Sequence, residues 1–275
     1  VVASFSILGD VAQQIGGERV AVQSLVGANQ DAHAYNLTSS DIKKIREARL
    51  VLLNGLGLEK AELQRAVKQS KVASAEATAG IKPLAADEHH HEHNHGHDHD
   101  HGEFDPHVWN DPVLMQRYAA NVAIALIKAD PAGSRYYQQR FKDYQNVLNQ
   151  LNNYANQQFG AVAPAKRKVL TGHDSFAYLG KRYQVKFISP QGVSSEAEPS
   201  ARQIAAIIRQ IKAENVKAVF TENIKDGRMI ARIAKETGVK VSGGLYADAL
   251  SSGAPAGTYA DMFRYNVRVM SEAMK

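Results

Sequence analysis

The sequence predicts an α/β protein: two domains with parallel sheets and one long helix between them. Three observations carry that reading. Short apolar runs alternate with amphipathic helical stretches in both halves of the chain, which is the pattern of βαβ units and a parallel sheet. The alternation is interrupted once, by a stretch over 134–160 rich in Gln, Asn and Tyr, long and polar enough to run between domains. The chain has 275 residues, 44% hydrophobic and 22% charged, enough for two buried cores and ordinary for a globular protein.

Taken in order, VVASFSI reads as a strand and LGDVAQQIGG as a helix closed by Gly16 and Gly17. RVAVQSLV alternates as a strand does. TSSDIKKIREA offers Thr38, Ser39 and Ser40 as N-caps ahead of an apolar periodicity. LVLLNG is a short continuous apolar run, suited to a strand buried on both faces. DPVLMQRYAANVAIALIKA begins a helix with Asp111 as N-cap and Pro112 at the first helical position, and DPAG at Asp130 ends it. The helix over 134–160 spans about 40 Å at the usual helical rise. Beyond it, KRKVLTG and VKFISP read as strands around the helix SFAYLGKRY. SARQIAAIIRQIKAEN is a helix, VKAVFTE a strand, DGRMIARIAKETG a helix closed by Gly238, and VKVSGGLY a strand. TYADMFRYNVRVMSEAMK is the last helix. The expected division is 1–133, 134–160 and 161–275.

One segment stands outside this alternation. The stretch EHHHEHNHGHDHDHGEFDPHVW, over 88–109, holds nine of the eleven histidines. Over 87–102 there is no large apolar residue to bury and low complexity throughout, so this part is expected to be a mobile loop. It is also acidic. Seven acids and no Lys or Arg fall between Asp87 and Asp105; without those acids the chain carries 33 bases against 21 acids. A basic body invites a nucleic-acid reading, but the Lys and Arg are spread along amphipathic helices with no aromatic-interleaved cluster, so no nucleic acid is expected. No apolar run approaches the ~20 residues of a membrane helix. The chain has no cysteine, which excludes disulfides and thiolate metal sites.

Outside the tract three histidines remain, two just beyond strands and one at the entry to a helix. His33 follows RVAVQSLV, His107 lies in FDPHVWNDP, and His173 follows KRKVLTG. Asp248, in LYADAL, holds the same kind of place after VKVSGG. Ligands of open α/β sheets bind beyond the carboxyl ends of strands, so these four are candidates for one site. Three imidazoles and a carboxylate suit a closed tetrahedral zinc site, whereas manganese favours more oxygen. The alternative is that each histidine is a local cap or loop residue. At their ordinary pKa, imidazole ligands would release a metal as pH falls through about 6.

The motifs DAHAYNLTSSDI, NGLGLE, DPHVWNDP, TGHDSFAYLGKRY, FTEN and LYADALS, in that order, resemble the metal-specific substrate-binding proteins of bacterial ABC transporters, above all the zinc-binding periplasmic members. The likeness covers nearly the whole chain. It implies two (βα) domains joined by a single long rigid helix, with a metal cleft between them. It implies His33, His107, His173 and Asp248 as metal ligands, with Glu59 of NGLGLE competing with Asp248 or standing at the cleft mouth. A histidine at the third position, and a His-rich insertion before the second, are features of zinc members. The implied function is Zn²⁺ capture in the periplasm and delivery to a membrane permease, by a monomer that a zinc chaperone also serves, secreted by a leader outside this chain. The resemblance leaves manganese or another divalent metal as an alternative cargo. The disulfide often found in the second domain of Gram-negative zinc members is missing, as is the lipidated N-terminal cysteine of Gram-positive members; the latter favours a free periplasmic protein, with a trimmed lipoprotein as the alternative that would look the same.

Other readings are weaker. His173-Asp174-Ser175 places triad residue types side by side, but triads are assembled from distant residues and no G-x-S-x-G is present. A zinc hydrolase would need three protein ligands, an open position and a base such as Glu59, yet no H-E-x-x-H occurs. A buffering protein would bind ions mainly through the 88–101 tract, more weakly than a preorganised site. The chain is expected not to be an enzyme.

Overall fold

The computed structural model describes residues 1–86, 104–196 and 198–275. The histidine-rich segment 87–102 lies outside the described residues. The first half runs β1 (Val2–Phe5), α1 (Ser6–Gly16), β2 (Gln23–Val26), α2 (Ser39–Glu47), β3 (Val51–Leu53), α3 (Ala61–Ser70), β4 (Ser74–Glu76) and α4 (Met115–Ala129). After α5 (Ser134–Gly160) come β5 (Lys168–Leu170), α6 (Ala177–Tyr183), β6 (Lys186–Ile188), α7 (Ala201–Glu214), β7 (Ala218–Glu222), α8 (Arg228–Thr237), β8 (Gly243–Leu245) and α9 (Tyr259–Met274).

The strands form two four-stranded sheets with the same winding, β2-β1-β3-β4 and β6-β5-β7-β8. All the strand pairings are parallel. In each sheet the chain steps to one side of its first strand and then crosses to the other. That reversal opens a crevice at the carboxyl ends of β1 and β3, and of β5 and β7, the place where such sheets bind ligands. The central strands are mostly apolar because helices cover both faces: Val2, Ala3, Val51 and Leu52 are all buried.

Local chemistry sets the element ends. Thr38 caps α2 by accepting from the Asp41 amide at 3.1 Å, while the Asp41 carboxylate accepts from the Thr38 amide at 2.9 Å. Ser200 and Gln203 repeat this reciprocal pair at α7. Gly238 closes α8 in the left-handed conformation, with φ 72°.

The structure departs from the sequence reading in three places. The first strand stops at Phe5, because Ile7, Leu8, Val11, Ala12 and Ile15 are buried at helical spacing and draw Ser6 into α1. Asp111 is not the N-cap of α4, which begins at Met115. It caps the turn before the helix, its Oδ1 accepting from the Val113 amide at 2.8 Å and its Oδ2 from Arg182 Nε at 2.9 Å. The third departure is α3 and β4, which the sequence reading missed: α3 buries only Leu63 and Val67, and β4 is a polar edge strand.

The long helix α5 has 27 residues and buries Tyr137, Tyr144, Leu148, Leu151, Ala155 and Phe159, one stripe at spacings of three, four and seven. It packs against α1 and α4 from the first half and α6 and α9 from the second. One apolar core therefore continues from Phe5 and Ile15 through Leu151 to Phe263 and Met274. The halves are joined by packed side chains as well as by the chain itself. No helix among the described residues is long and apolar enough to cross a membrane.

Candidate metal centre

His33, His107, His173 and Asp248, which the sequence scatters over more than two hundred residues, converge between the two sheets. One ligand atom from each lies within 4.8 Å of all the others. His33 sits in the turn after β2, His107 at the start of the turn leading to α4, His173 just past β5 and Asp248 just past β8. The first two come from one half and the last two from the other. His107, His173 and Asp248 are fully buried, and His33 is 8% exposed.

The separations suit a single small cation. His33 Nε2 lies 3.2 Å from His107 Nε2 and 2.9 Å from Asp248 Oδ2. His173 Nε2 is 2.8 Å from Asp248 Oδ2, and His107 Nε2 is 3.2 Å from Asp248 Oδ1. The edge of a tetrahedron of zinc–nitrogen and zinc–oxygen bonds is about 3.3 Å. These separations run from 2.8 to 3.2 Å, up to about half an ångström shorter than that edge.

Each ring's outward nitrogen decides what its inward nitrogen can do. His107 Nδ1 donates to Asp105 Oδ1 at 2.6 Å, and the same oxygen accepts from the His107 amide at 3.0 Å. His173 Nδ1 donates to Glu222 Oε2 at 2.7 Å. A carboxylate only accepts, so both Nδ1 atoms carry protons and the neutral rings turn lone pairs inward on Nε2. Those lone pairs face the carboxylate of Asp248, whose Oδ1 is buried with no hydrogen-bond donor although His107 Nε2 is near it. Such an assembly needs positive charge at its centre, from a metal ion or from ring protons.

The ion-free protein takes protons. Burial alone would lower the His107 pKa, but the carboxylates of Asp248 and Asp105 outweigh it and hold it at about 9. His173 is likewise lowered by burial and raised further by Glu222 and Asp248, ending well above the ordinary imidazole value. Burial would raise Asp248; His173, His107 and His33 outweigh it and hold its carboxyl well below the usual range.

The surroundings fix these positions. Trp109, buried against the His107 ring at 5.1 Å between centroids, donates Nε1–H to the Ala247 carbonyl at 2.8 Å, one residue before Asp248. Asn54 donates Nδ2–H to the Pro106 carbonyl at 3.2 Å, beside His107. Asp31 Oδ1 accepts from the His33 amide at 2.9 Å, and its Oδ2 accepts from the Ser195 hydroxyl across the cleft. Lys60 and Glu196 pair at 3.2 Å over the cleft mouth, which His33, Gly57 and Pro106 also line.

Glu59 is not in the four-residue cluster. Its Oε2 accepts from Ser4 Oγ at 2.6 Å and the Asn54 amide at 2.8 Å, and its Oε1 from the Gly55 amide at 2.9 Å. Its carboxyl braces the crevice between β1 and β3, and burial raises its pKa. The sequence reading missed the roles of Asp105 and Glu222. Asp105 was counted with the acidic tract, and Glu222 appeared only within FTEN. A signal for the first was present: an Asp two residues before a histidine can reach both its amide and its ring.

A family model described as "ZnuA: Zinc-uptake complex component A periplasmic" matches residues 1–273. The manganese-binding lipoprotein MntA of Bacillus subtilis is 32% identical, over 100% of this chain and 89% of that protein. The iron ABC transporter substrate-binding lipoprotein MtsA of Streptococcus pyogenes is 27% identical, over 100% of this chain and 88% of that protein. The periplasmic zinc-binding protein TroA from Treponema pallidum has a similar structure, with a TM-score of 0.90 at 26% identity, covering 99% of this chain and 98% of that one.

Proposed function

Because this chain belongs to the ZnuA family of metal-binding ABC-transporter substrate-binding proteins, which are not enzymes, we propose that its cargo is Zn²⁺, captured in the periplasm and delivered to a membrane permease. The observation that carries the choice of metal is the donor set, three imidazole nitrogens and one carboxylate whose ligand atoms all lie within 4.8 Å of one another. Imidazole suits zinc, and manganese favours oxygen-rich octahedral sites. The relatives named for manganese and iron make those ions the alternatives to be tested.

In this reading His33 and His107, from 1–133, and His173 and Asp248, from 161–275, are the ligands, with 134–160 as the link between the two domains. The ion would sit between the halves and replace the ring protons of the ion-free state. A core that continues through α5 supports small local movements over a wide swing on loading. The mouth beside His33, crossed by the Lys60–Glu196 pair, is the exposed approach to the cluster.

The test is metal competition on the purified chain stripped of metal. Zinc should bind one-to-one at the folded site and displace manganese, and His33→Ala, His107→Ala or His173→Ala should each weaken zinc by at least about 100-fold. Tighter binding of manganese than of zinc, or unchanged zinc affinity in all three variants, would sink the reading.

A further inference from the structure

The centre contains a second set of buried carboxylates, and it treats its three histidines unequally. Asp105 is 1% exposed and Glu222 6%, and each accepts the Nδ1 proton of one histidine, at 2.6 Å for His107 and 2.7 Å for His173. They reach those rings by different routes. Asp105 lies two residues before its histidine and binds the backbone amide with the same oxygen. Glu222 ends β7, the strand beside β5, and meets His173 across the crevice; its Oε1 lies 3.4 Å from the Ser175 hydroxyl. Among the described residues, His33 has an ion pair with Asp248 only, so no carboxylate holds its outer nitrogen.

We propose that Asp105 and Glu222 are positioning residues that set the metal preference of the centre, biasing it toward nitrogen-seeking cations and so toward zinc over manganese. The inference rests on the function proposed above and adds the source of its selectivity. A carboxylate accepting the Nδ1 proton fixes the ring's tautomer and direction, and it raises the electron density at Nε2. A more basic imidazole strengthens a bond to zinc more than a bond to manganese, because affinity for nitrogen donors rises across that series. Two rings are thus held ready by the interior, and His33 completes the set from the cleft side.

Glu222→Gln and Asp105→Asn keep size and an acceptor oxygen while removing the charge. On the full chain, zinc and manganese affinities measured against chelators at one pH should show zinc weakened about 10–100-fold by each variant and manganese less, so that the zinc-to-manganese ratio falls about tenfold. Histidine ring ¹⁵N shifts of the zinc-loaded variants should move for the affected ring and not for His33. Glu222→Asp, which keeps the charge, should hold the ratio within about twofold even where both affinities fall, and it serves if the amide variants do not fold. Equal weakening of both metals, no weakening of either, or a ratio that falls as far in Glu222→Asp as in Glu222→Gln overturns the proposal. The His173→Ala control separates this from the function itself: if that variant keeps wild-type zinc affinity, the proposed site is wrong whatever the carboxylate variants do.

Discussion

The ion-free protein should lose stability as pH rises from about 6 to about 9, and zinc should reverse that order. The perturbation is pH alone. His107 has an ordinary pKa of 6.5 in the unfolded chain and about 9 in the fold. A group raised on folding contributes stability that is fully present below its unfolded value and lost as pH climbs through its folded value. The interval corresponds to about 3 kcal/mol for this ring, and His173 is shifted in the same direction. Asp248 is depressed, so its contribution is present above its ordinary 3.8 and is lost only in acid, as pH falls through its folded value. Maximum ion-free stability is therefore expected between about pH 4 and 6.5. For a chain of this size, a loss of about 3 kcal/mol lowers the unfolding midpoint by roughly 6–12 °C. On the proposed function zinc displaces the His107 proton, so that ring alone makes apparent affinity about 50-fold weaker at pH 7 than at pH 9. Proton competition thus begins near 9, well above the value of about 6 expected for unperturbed imidazoles. The assay is thermal unfolding of chelator-treated protein at about pH 6 and 9, with and without zinc, and Asp248→Asn should shrink the ion-free difference. An ion-free midpoint that is unchanged or higher at the alkaline pH would refute the reasoning.

Other outcomes follow from the packing around the centre. Trp109 is the single tryptophan and touches the His107 ring, so zinc loading should change its fluorescence, and an emission spectrum unaffected by saturating zinc would place the ion elsewhere. Trp109→Phe leaves the Ala247 carbonyl without its donor and should cost about 1–3 kcal/mol in denaturant unfolding. Leu151→Ala empties part of the stripe by which α5 ties the halves; a loss of about 2–5 kcal/mol is expected in the same assay, with ligand geometry and zinc stoichiometry unchanged. Asp31→Ala frees the His33 turn from Ser195 and should speed zinc release in stopped-flow chelation more than it slows capture.

The four clustered residues were legible because each is a lone histidine or aspartate just beyond a strand or, for His107, at a helix entry, and because discounting the histidine tract left three histidines to place. Their meeting was less legible, since it depends on the order of strands in two sheets and on α5 holding those sheets together. The same limit hid α3 and β4, whose short or polar patterns bury little. It hid the carboxylates most completely. In each sheet a glutamate after or at the end of the third strand reaches back to a residue of, or just past, the first: Glu59 to Ser4 in one half, Glu222 to His173 in the other, at 2.6 and 2.7 Å. In the sequence both are single glutamates at the edge of an apolar segment, in NGLGLE and FTEN. The repeated fold offers one crevice twice. In the first half its buried acid is spent on Ser4 and two backbone amides; in the second it acts on an imidazole of the cluster. Which acid serves the cluster is decided by the residue across the crevice, and that residue lies 55 positions away in one case and 49 in the other.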